Sequence, residues 1–472
     1  MTIHEECGVF GVYSLKKKNV AKTVYYGLYQ LQHRGQESCG IVVNDDGVFS
    51  SHKDLGLVGE VFNEDVLSQL SEGNMAIGHV RYGTTGKNVR SNCQPLEINH
   101  QRGKIALAHN GNLSNALTLR DQLELSGAIF HTTSDTETIA YMITRERLKS
   151  TSIEQAIIQA MEHLKGAYSL VLMSSTKMIA VRDPFGFRPL CFGKTKDGDY
   201  IVASESAALA SVNAEFIRDV LPGEVLVFNQ DGIKSIQTHC HQVKRRNCIF
   251  EYIYFSRPDS VIDEVSVSES RKKAGEILAE SHPVDADLVI GVPDSGLEAA
   301  LGYAKRSKIP YEIGLIKNKY IGRTFISPGP EDRIDQVKIK LSPIKEVVEG
   351  KRIVLVDDSI VRGTTSKIIT SILREAGAKE IHMRISAPPF LHPCYYGTDI
   401  DSEDNLIAAH LNNKEIAKKI GVDSLGYLNV ESLHQLVGHD EICTACFTGD
   451  YPTEIPLDSR KDRFERKLSE KE

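Results

Sequence analysis

The pattern of apolar and polar positions changes about halfway along the chain. From residue 7 to about residue 230, short β-like runs alternate with turns rich in Gly, Asn and Asp, and helical patterns lie between groups of these runs. Examples are "GVFGVYS", "MAIGHVRYG" and "KIALAHNGNLSN", and "SIEQAIIQAMEHLKG" predicts a helix with Gly166 as its C-cap. Many strands with helices inserted between them predict layered sheets that helices cover.

From about residue 280 the pattern becomes strand, glycine-containing loop, helix. "ADLVIGV" leads through "PDSG" into "LEAALGYAKR", and "RIVLV" leads through "DDSIVRGTT" into "SKIITSILREAG". Continuous apolar runs followed by helices are typical of a parallel sheet that is buried on both faces. We therefore predict one domain over residues 7–235, a second over 250–451, and a charged tail over 452–472.

Composition narrows the class of protein. The 472 residues are 41% hydrophobic and 25% charged with a formal net charge of -7, which is ordinary for a globular protein and gives no sign of a nucleic-acid surface. No apolar run approaches the roughly 20 residues of a membrane span, and the N-terminus has no basic segment followed by an apolar stretch. We expect a cytoplasmic protein without a membrane or nucleic-acid partner, in which the nine cysteines form no structural disulfides.

The stretch "VLVDDSIVRGTT", residues 354–365, is chemically the most specific. An apolar strand leads to two adjacent carboxylates, Asp357 and Asp358, and then to a loop that opens a helix. Backbone N–H groups at a helix start bind phosphate, and two acids at the carboxyl end of a strand bond vicinal hydroxyls or hold Mg²⁺. The alternative is an acidic strand end before an N-capped helix. The candidate phosphate cradle contains Ser359, Gly363, Thr364 and Thr365.

This stretch resembles the binding motif of type I phosphoribosyltransferases, which use 5-phosphoribosyl-1-pyrophosphate (PRPP). The resemblance implies that the cradle holds the 5-phosphate and that the acids hold the ribose hydroxyls. Upstream, Ser295 in "VPDSG" is suited to the pyrophosphate and its Mg²⁺, although such a sequence is also a common turn. Lys317 and Arg323 in "GLIKNKYIGRTFI" are cations that would neutralise a leaving pyrophosphate, or else part of a solvated face.

Cys7 is a candidate nucleophile in the first half. A nucleophilic cysteine needs a base and an oxyanion stabiliser, yet no nearby cue assigns a histidine to the first role. If cleavage removes a leader, residues 1–6, the α-amine of Cys7 becomes available as the base, with a pKa of ~7.7 to 8. From its position alone, a buried structural cysteine is the alternative.

Five short sequences around Cys7 and downstream resemble an N-terminal-nucleophile glutamine amidotransferase domain. They are "CGVFG", "LQHRGQES", "GHVRYGTTG", "AHNGNL" and "TSDTE". The resemblance implies that the Asn110 side chain and the Gly111 N–H form the oxyanion hole. It also implies that Arg81 clamps the α-carboxylate of glutamine, that Asp135 takes its α-ammonium, and that Arg34 helps to order the site.

Four of the other cysteines suggest a metal centre. Cys443 and Cys446 form a Cys-x-x-Cys motif, which alone also fits a redox pair, while Cys248 in "NCIFEYIYF" and Cys394 in "HPCYYG" have motif-like surroundings. Four thiolates complete either a tetrahedral zinc site or a cubane iron–sulfur cluster. The surroundings resemble those in the amidophosphoribosyltransferases that carry a [4Fe–4S] cluster, which implies that cluster here, with a structural role.

Both halves in this order resemble the amidophosphoribosyltransferase family, from Cys7 to about Pro452. The implied fold is a two-domain α/β and α+β structure, an N-terminal-nucleophile αββα sandwich followed by a type I phosphoribosyltransferase doubly wound parallel sheet. The implied reaction converts PRPP, glutamine and water into 5-phosphoribosylamine, pyrophosphate and glutamate. Further implied features are Mg²⁺, inhibition by purine nucleotides, and a homodimer or homotetramer.

Three alternatives make different demands on the sequence. A sugar-phosphate aminating amidotransferase should lack "VLVDDSIVRGTT", and a salvage phosphoribosyltransferase should lack Cys7 and "HNG". A catalytically silent PRPP-binding sensor or regulatory paralogue should have lost a nucleophile, a carboxylate or the leader. The sequence retains all of these features.

Overall fold

The computed structural model of the chain describes residues 7–70, 72–83, 88–318, 340–400 and 402–456. The predicted leader (residues 1–6), Arg323, and the predicted tail from residue 457 onward lie outside the described residues. Within the described residues, no helix is both long enough and apolar enough to cross a membrane.

Two antiparallel sheets form the N-terminal half. The first has seven strands, which are, from edge to edge, β11 (Ala214–Asp219), β9 (Cys191–Thr195), β10 (Tyr200–Ala203), β1 (Gly8–Lys18), β4 (Gly73–Arg81), β2 (Ser38–Asp45) and β3 (Val48–Leu55). The second has six, which are β13 (Gly232–Ile236), β12 (Val225–Asn229), β8 (Met178–Arg182), β7 (Gly166–Met173), β6 (Gly103–Leu113) and β5 (Leu96–His100).

Strand β1 shows why the sheets stack and why helices cover them. Its side chains alternate between two buried faces. Val9 and Tyr13 belong to the apolar cluster between the two sheets, whereas Phe10 and Val12 belong to a second cluster under the helix Val20–Gln30. A strand that is apolar on both faces requires a layer on each side, and the result is the predicted αββα sandwich.

Helices cover the outer face of each sheet. A third apolar cluster fills the space between the second sheet and its helices, with Ile139 and Ile157 on the helical side and Leu107 and Leu170 on the strands. The helices of this half are α1 (Val20–Gln30), α2 (Val58–Val61), α3 (Glu64–Gln69), α4 (Ala116–Leu125), α5 (Asp135–Lys149), α6 (Ile153–Met161) and α7 (Ser206–Ala210), with a 3₁₀ turn at Arg90–Asn92.

The predicted C-cap at Gly166 is wrong. Helix α6 ends at Met161 with Glu162 as its C-cap, and Gly166 instead begins β7. Gly166 has φ +112°, and a Cβ there would lie 2.6 Å from the carbonyl oxygen of Asn112 on the neighbouring strand β6. A glycine is therefore required by the close approach of β6 and β7 and not by the end of the helix.

A four-stranded parallel sheet forms the core of the C-terminal half. Its strands are, in order across the sheet, β17 (Leu288–Gly291), β20 (Arg352–Asp357), β21 (Glu380–Ile385) and β22 (Ser424–Tyr427). The helices are α8 (Val267–Ser281), α9 (Leu297–Ser307), α10 (Lys345–Val348), α11 (Thr364–Glu375), α12 (Ile407–His410), α13 (Asn413–Ile420), α14 (His434–Val437) and α15 (Ala445–Thr448).

Short elements complete this half. They are β14 (Asn247–Cys248) paired with β23 (Ile442–Cys443), β15 (Val261–Ile262) with β16 (Val265–Ser266), and β18 (Leu315–Lys317) with β19 (Leu341–Pro343). There is a π-helical turn at Glu251–Phe255, and 3₁₀ turns lie at Glu403–Asn405 and Val430–Ser432.

The parallel sheet has its topological switch point at β17. The chain leaves β17 to form a parallel bridge through Tyr311 on one side of this strand, and later places β20 on its other side. In doubly wound sheets, ligands bind where the connections diverge, outside the carboxyl ends of the strands. The two predicted PRPP motifs follow β17 and β20 directly, so the fold brings them to one crevice.

Candidate active sites

Cys7 immediately precedes β1, and two other segments fix its position. Its thiol donates to the carbonyl oxygen of Tyr82 over 3.4 Å, and the Nε of Arg34 donates to its carbonyl oxygen over 3.0 Å. The residue is 7% exposed. Gly35 allows the Arg34 loop to lie here, because a Cβ at Gly35 would be 2.6 Å from the backbone nitrogen of Arg81.

The side-chain amide of Asn110 is buried and unpaired among the described residues. Asn110 lies on β6, and both polar atoms of its side chain are buried without a hydrogen-bond partner among the described residues. Leaving such a group unpaired costs about 1–3 kcal/mol, so a buried orphan amide needs an explanation. The next residue, Gly111, has φ +136°, and a Cβ there would lie 2.2 Å from the carbonyl oxygen of Ala167. Only glycine satisfies that backbone position.

A hydrogen bond between two histidines joins the two sheets beside these groups. The Nε2 of His79 lies 2.9 Å from the carbonyl oxygen of His109. Burial lowers the pKa of His79 to about 3, so the imidazole is neutral and its Nε2–H is the donor. Because Arg81 is two residues from His79 and Asn110 is next to His109, this bond brings the predicted glutamine clamp and the predicted oxyanion hole to the same end of the sandwich.

Asp135 begins helix α5 and is held as a carboxylate. Its Oδ2 accepts from the backbone N–H of Leu113 over 3.0 Å, and its Oδ1 lies 3.6 Å from the Nδ1 of His109. Burial opposes ionisation, but His109, the Leu113 N–H and the charge of Arg81 hold the pKa of Asp135 below its usual value. Arg81 is itself buried. A buried carboxylate and a buried guanidinium in electrostatic contact suit the two charges of an amino acid.

Arg34 is the centre of a buried ionic network that the sequence did not reveal. Its Nη1 lies 2.6 Å from Glu205, its Nη2 lies 2.7 Å from Glu251, and the Arg34 side chain has no exposed surface. Burial opposes ionisation of Glu205, but His33 and Arg34 hold the pKa of this carboxyl well below its usual range. Glu251 comes from the C-terminal half, so Arg34 connects Cys7 to the second domain.

The two acids of the second site lie at the carboxyl end of β20 and are buried. The hydroxyl of Ser295 donates to Asp358 over 2.6 Å, and the hydroxyl of Ser359 donates to the same carboxylate. Burial raises the pKa of Asp357 well above its usual range, and the charge of Asp358 adds to this effect. Burial also raises the pKa of Asp358, although the two hydroxyls oppose the rise. A ligand with a cation or with hydroxyl groups would stabilise the ionised form of such a pair.

The predicted phosphate cradle is the N-terminus of helix α11. Thr364 and Thr365 open the helix and are accessible, and Gly363 is its N-cap with φ +77°. The positive φ favours glycine here, and a Cβ would lie 2.8 Å from the Cδ1 of Ile407, so the end of that side chain would have to move. Backbone N–H groups at this end carry the positive end of the helix dipole and suit a phosphate.

Lys317 lies on β18 at the rim of the crevice. Its ammonium pairs with Asp294 in the "PDSG" loop, and both side chains are largely exposed. The structure therefore brings Lys317 to the loop that contains Ser295. The other predicted cation, Arg323, lies outside the described residues.

The four predicted cluster cysteines converge on one region of the second half. Cys248 and Cys443 are register partners of the parallel pair β14 and β23. Burial raises the pKa of Cys446, and the neighbouring thiols of Cys394, Cys248 and Cys443 raise it further. All nine cysteines are free, and among the described residues no group of three or more ligand side chains is arranged for a single metal ion.

Comparisons with known proteins match a known domain family to each half of the chain. A glutamine amidotransferase domain family matches residues 79–211, and a phosphoribosyl transferase domain family matches residues 264–423. The chain is 49% identical over 463 residues to the amidophosphoribosyltransferase of Methanocaldococcus jannaschii, covering 95% of this chain and 98% of the relative. It is 49% identical over 464 residues to that of Bacillus subtilis, covering 97% and 96%.

Solved structures give the same result. One, described as the allosteric regulatory enzyme of purine biosynthesis, matches with a TM-score of 0.90 and 49% identity, covering 96% of this chain and 97% of its own. The B. subtilis glutamine PRPP amidotransferase complexed with ADP and GMP matches with a TM-score of 0.89 and 48% identity, covering 96% and 98%. The chain therefore belongs to the amidophosphoribosyltransferase family, and it joins a glutamine amidotransferase domain to a phosphoribosyltransferase domain in one polypeptide.

Proposed function

We propose that the chain makes 5-phosphoribosylamine in two linked steps, with glutamine hydrolysed at Cys7 and PRPP aminated beside Asp357. PRPP, glutamine and water give 5-phosphoribosylamine, pyrophosphate and glutamate, the first committed step of purine biosynthesis. The observation that carries the assignment of the first site is the buried, unpaired amide of Asn110, on the strand that His79 ties to the strand of Arg81.

In the first step, the Sγ of Cys7 attacks the carboxamide carbon of glutamine and forms a carbon–sulfur bond. The thiol proton passes to the α-amine of Cys7, which is free once residues 1–6 are removed. The negative oxygen of the tetrahedral intermediate accepts hydrogen bonds from the Asn110 amide and the Gly111 N–H. When the intermediate collapses, the carbon–nitrogen bond breaks and ammonia leaves with a proton. Water then hydrolyses the thioester to glutamate and restores the thiol.

Two buried charges hold the amino-acid end of glutamine. Arg81 pairs with its α-carboxylate and Asp135 with its α-ammonium. The lowered pKa of Asp135 supports this role, because the carboxyl stays ionised near neutral pH. His109 contacts Asp135 through its ring and supports the peptide before Asn110 through its carbonyl, so one residue positions both parts of the site.

In the second step, ammonia that has passed through the protein attacks C1 of PRPP and displaces pyrophosphate. The N-terminus of α11, with Thr364 and Thr365, holds the 5-phosphate. Asp357 and Asp358 accept hydrogen bonds from the ribose hydroxyls, which their buried position at the end of β20 favours. Lys317 and Arg323 offset negative charge on the leaving pyrophosphate.

Mg²⁺ fits the donor set at this crevice. Asp357 and Asp358 are hard oxygen donors, and their burial and mutual repulsion favour binding of a cation. The hydroxyl of Ser295 donates to the carboxylate of Asp358, so it lies beside the same donors. These three residues would hold the ion, directly or through water, and the ion would supply charge neutralisation of the pyrophosphate.

The four cysteines are the proposed ligands of a [4Fe–4S] cluster. Four thiols that interact in a buried region would repel one another as thiolates, so the region suits a positively charged group. Four thiolates suit a cubane cluster as well as a tetrahedral zinc ion, and the likeness of their surroundings to those in the cluster-bearing family members favours the cubane. Cys248, Cys394, Cys443 and Cys446 would bind it, and its role would be to tie the domain junction to the C-terminal end of the catalytic domain.

Regulation, assembly and location extend the proposal. The B. subtilis neighbour was solved with ADP and GMP, and this supports purine nucleotides as feedback inhibitors of the present chain. We propose a homodimer or homotetramer because the family resemblance implies one, and a cytoplasmic location because of the composition.

The experiment measures glutamate and pyrophosphate from anaerobically purified protein, with and without PRPP and Mg²⁺. We expect equal amounts of both products, formed only when PRPP is present. Glutamate formed at the same rate with and without PRPP would show that the two sites are not coupled, or that the ammonia acceptor is a compound other than PRPP. No glutamate from protein that still binds PRPP would favour the catalytically silent sensor.

A further inference from the structure

The segment that follows Cys394 lies directly on the oxyanion strand of the other domain. The Nδ2 of Asn112 donates to the carbonyl oxygen of Tyr395 over 3.0 Å. At Gly397 a Cβ would be 3.4 Å from the carbonyl carbon of Gly111. Tyr395 therefore bonds to Asn112, and Gly397 lies within van der Waals reach of Gly111, so this segment lies against the two residues that follow Asn110.

Arg188 fixes the same segment from the side. Its Nη2 and Nε donate to the carbonyl oxygen of Tyr396 over 2.7 and 3.1 Å, and the ring of Tyr396 stacks on Phe187 with the centroids 4.2 Å apart. The guanidinium is fully buried and its Nη1 lies 3.3 Å from Glu251. A buried guanidinium that donates twice to one carbonyl holds that peptide in a single orientation.

The carboxylate of Glu251 is also connected to Cys7, through Arg34. Glu251 accepts from Arg34, and Arg34 donates to the carbonyl oxygen of Cys7. One continuous set of buried contacts therefore joins the Tyr396 carbonyl, through Arg188, Glu251 and Arg34, to Cys7. The nucleophile and the oxyanion strand are thus both attached to elements of the second domain.

The C-terminal segment adds a third contact to the oxyanion strand. The hydroxyl of Thr453 lies 3.1 Å from that of Ser114 and 3.0 Å from that of Tyr396, and the Thr453 N–H donates to the Tyr396 hydroxyl over 3.1 Å. Ser114 directly follows β6. The residues that follow Asn110 are therefore contacted by the second domain at Gly111 and Asn112, and by the first residues of the tail at Ser114.

We propose that the segment Tyr395–Gly397 of the phosphoribosyltransferase domain positions the oxyanion hole of the glutaminase site, with Asn112, Arg188 and Gly397 as positioning residues. This inference rests on the proposed function of Cys7, Asn110 and Gly111. None of the three residues touches the reacting atoms. Their contacts hold Gly111 and Asn112, which directly follow the peptide between Asn110 and Gly111, and through them they orient that peptide. The glutaminase site is therefore complete only when the second domain is docked on it.

The test uses Gly397→Ala and Asn112→Leu in the full-length protein. The first adds a Cβ that would lie 3.2 Å from the Nη2 of Arg188 and 3.4 Å from Gly111, at a residue with φ +116°. The second removes the hydrogen bond to Tyr395. Gly103→Ala is the matched control, because Gly103 has φ +117° with nothing within 4 Å of its Cβ position, so it carries the same backbone strain without the contact.

Three quantities are measured for each variant. They are the kinetics with glutamine, the rate with added ammonia in place of glutamine, and the rate at which a diazoketone analogue of glutamine alkylates Cys7, followed by intact mass. We expect kcat with glutamine and the alkylation rate to fall about tenfold in both variants, since loss of a whole oxyanion donor costs roughly 10²–10³ in kcat. The KM for glutamine and the ammonia-dependent rate should stay within about twofold of the parent.

Two results would overturn the inference. One is wild-type alkylation and glutamine kinetics in both variants. The other is an equal loss of the ammonia-dependent rate, which would show that the segment only stabilises the second domain. Failure of the proposed function is distinguishable, because in that case the parent protein and Gly103→Ala would also form no glutamate.

Discussion

The Nη2 of Arg34 lies 2.7 Å from a carboxylate oxygen of Glu251, and the two residues are 217 positions apart in the chain. Neither side chain has more than 2% of its surface exposed. Glu251 also receives the hydroxyl of Ser256 over 2.7 Å and lies 3.3 Å from Arg188. One buried carboxylate therefore compensates two buried guanidinium groups at the junction of the two domains.

Replacement of this carboxylate should destabilise the protein. In Glu251→Gln the shape is kept, but Arg188 and Arg34 both lose the charge of the Glu251 carboxylate, while the pair between Arg34 and Glu205 remains. Removing one partner of a buried ion pair costs about 3–5 kcal/mol, and we expect a decrease of about 3 kcal/mol in the free energy of unfolding. Denaturant unfolding measures it. Lys244→Ala breaks an exposed pair with Asp440 and should lower the free energy of unfolding far less than Glu251→Gln does, because water screens this pair. Equal effects of the two variants would contradict the structural role of Glu251.

Cys7→Ala separates the two sites. The variant should lose glutamine-dependent formation of pyrophosphate and keep the ammonia-dependent reaction, because ammonia enters after the step that needs the thiol. Cys240→Ala, at a half-buried cysteine outside both sites, is the control and should keep both reactions. Loss of both reactions in Cys7→Ala, with Cys240→Ala active, would contradict separate sites.

The base for this thiol has its own test. We expect the intact mass of active protein to show the loss of residues 1–6, since the α-amine of Cys7 is free only after cleavage. Fully retained Met1 in active protein would contradict an α-amine base.

The sequence predicted the layers and the local motifs because both depend on short-range patterns. The alternation in "GVFGVYS" marks a strand buried on two faces, and the acids after "RIVLV" mark the carboxyl end of a parallel strand. The Gly166 prediction failed for the same reason. The local sequence does not distinguish a glycine that caps a helix from one that, as here, allows the next strand to approach its neighbour.

Long-range ionic contacts could not be predicted. Glu205 and Glu251 lie 171 and 217 positions from Arg34, and no local pattern distinguishes a buried carboxylate from one on the surface. His79 and His109 had a weak signal, because each lies within a motif that was used for its neighbours Arg81 and Asn110. Their role in joining the two sheets follows only from the stacking of the strands.

The neutral state of His79 makes stability depend on pH. Burial lowers its pKa to about 3, whereas the unfolded value is about 6.5. Between these values the unfolded chain binds a proton that the native state does not, so this group reduces stability as the pH falls, by ~1.4 kcal/mol per unit. His79→Gln keeps an N–H donor and cannot titrate. We expect its free energy of unfolding to fall less steeply than the parent's between about pH 6 and pH 4.5, measured by urea unfolding. Parallel slopes would contradict the buried, neutral imidazole.

Asp357→Asn should stabilise the protein and abolish its second activity. Burial and the charge of Asp358 raise the pKa of Asp357, so the ionised pair costs free energy in the absence of a ligand. We expect the variant to be more stable than the parent at pH 8, where the parent carries the ionised pair, and the difference to shrink as the pH is lowered. PRPP with Mg²⁺ should raise the Tm of the parent but not of the variant. A variant that is less stable, or one that responds to PRPP as the parent does, would contradict this role.

The cysteine cluster predicts a specific metal content. Anaerobically purified protein should contain about four iron and four sulfide per chain, whereas a zinc site would give about one zinc and no sulfide. Cys446→Ser should lose the iron and its visible absorption, because the other three thiols lie around Cys446 and serine is a poor ligand for this metal. Cys191→Ser, at a buried cysteine of the first domain, should retain the full iron content. Cys394 directly precedes the segment Tyr395–Gly397, and its sulfur accepts from the N–H of Tyr396. Loss of the cluster should therefore also slow alkylation of Cys7 by the diazoketone analogue. Full iron content in Cys446→Ser would exclude this cysteine as a ligand.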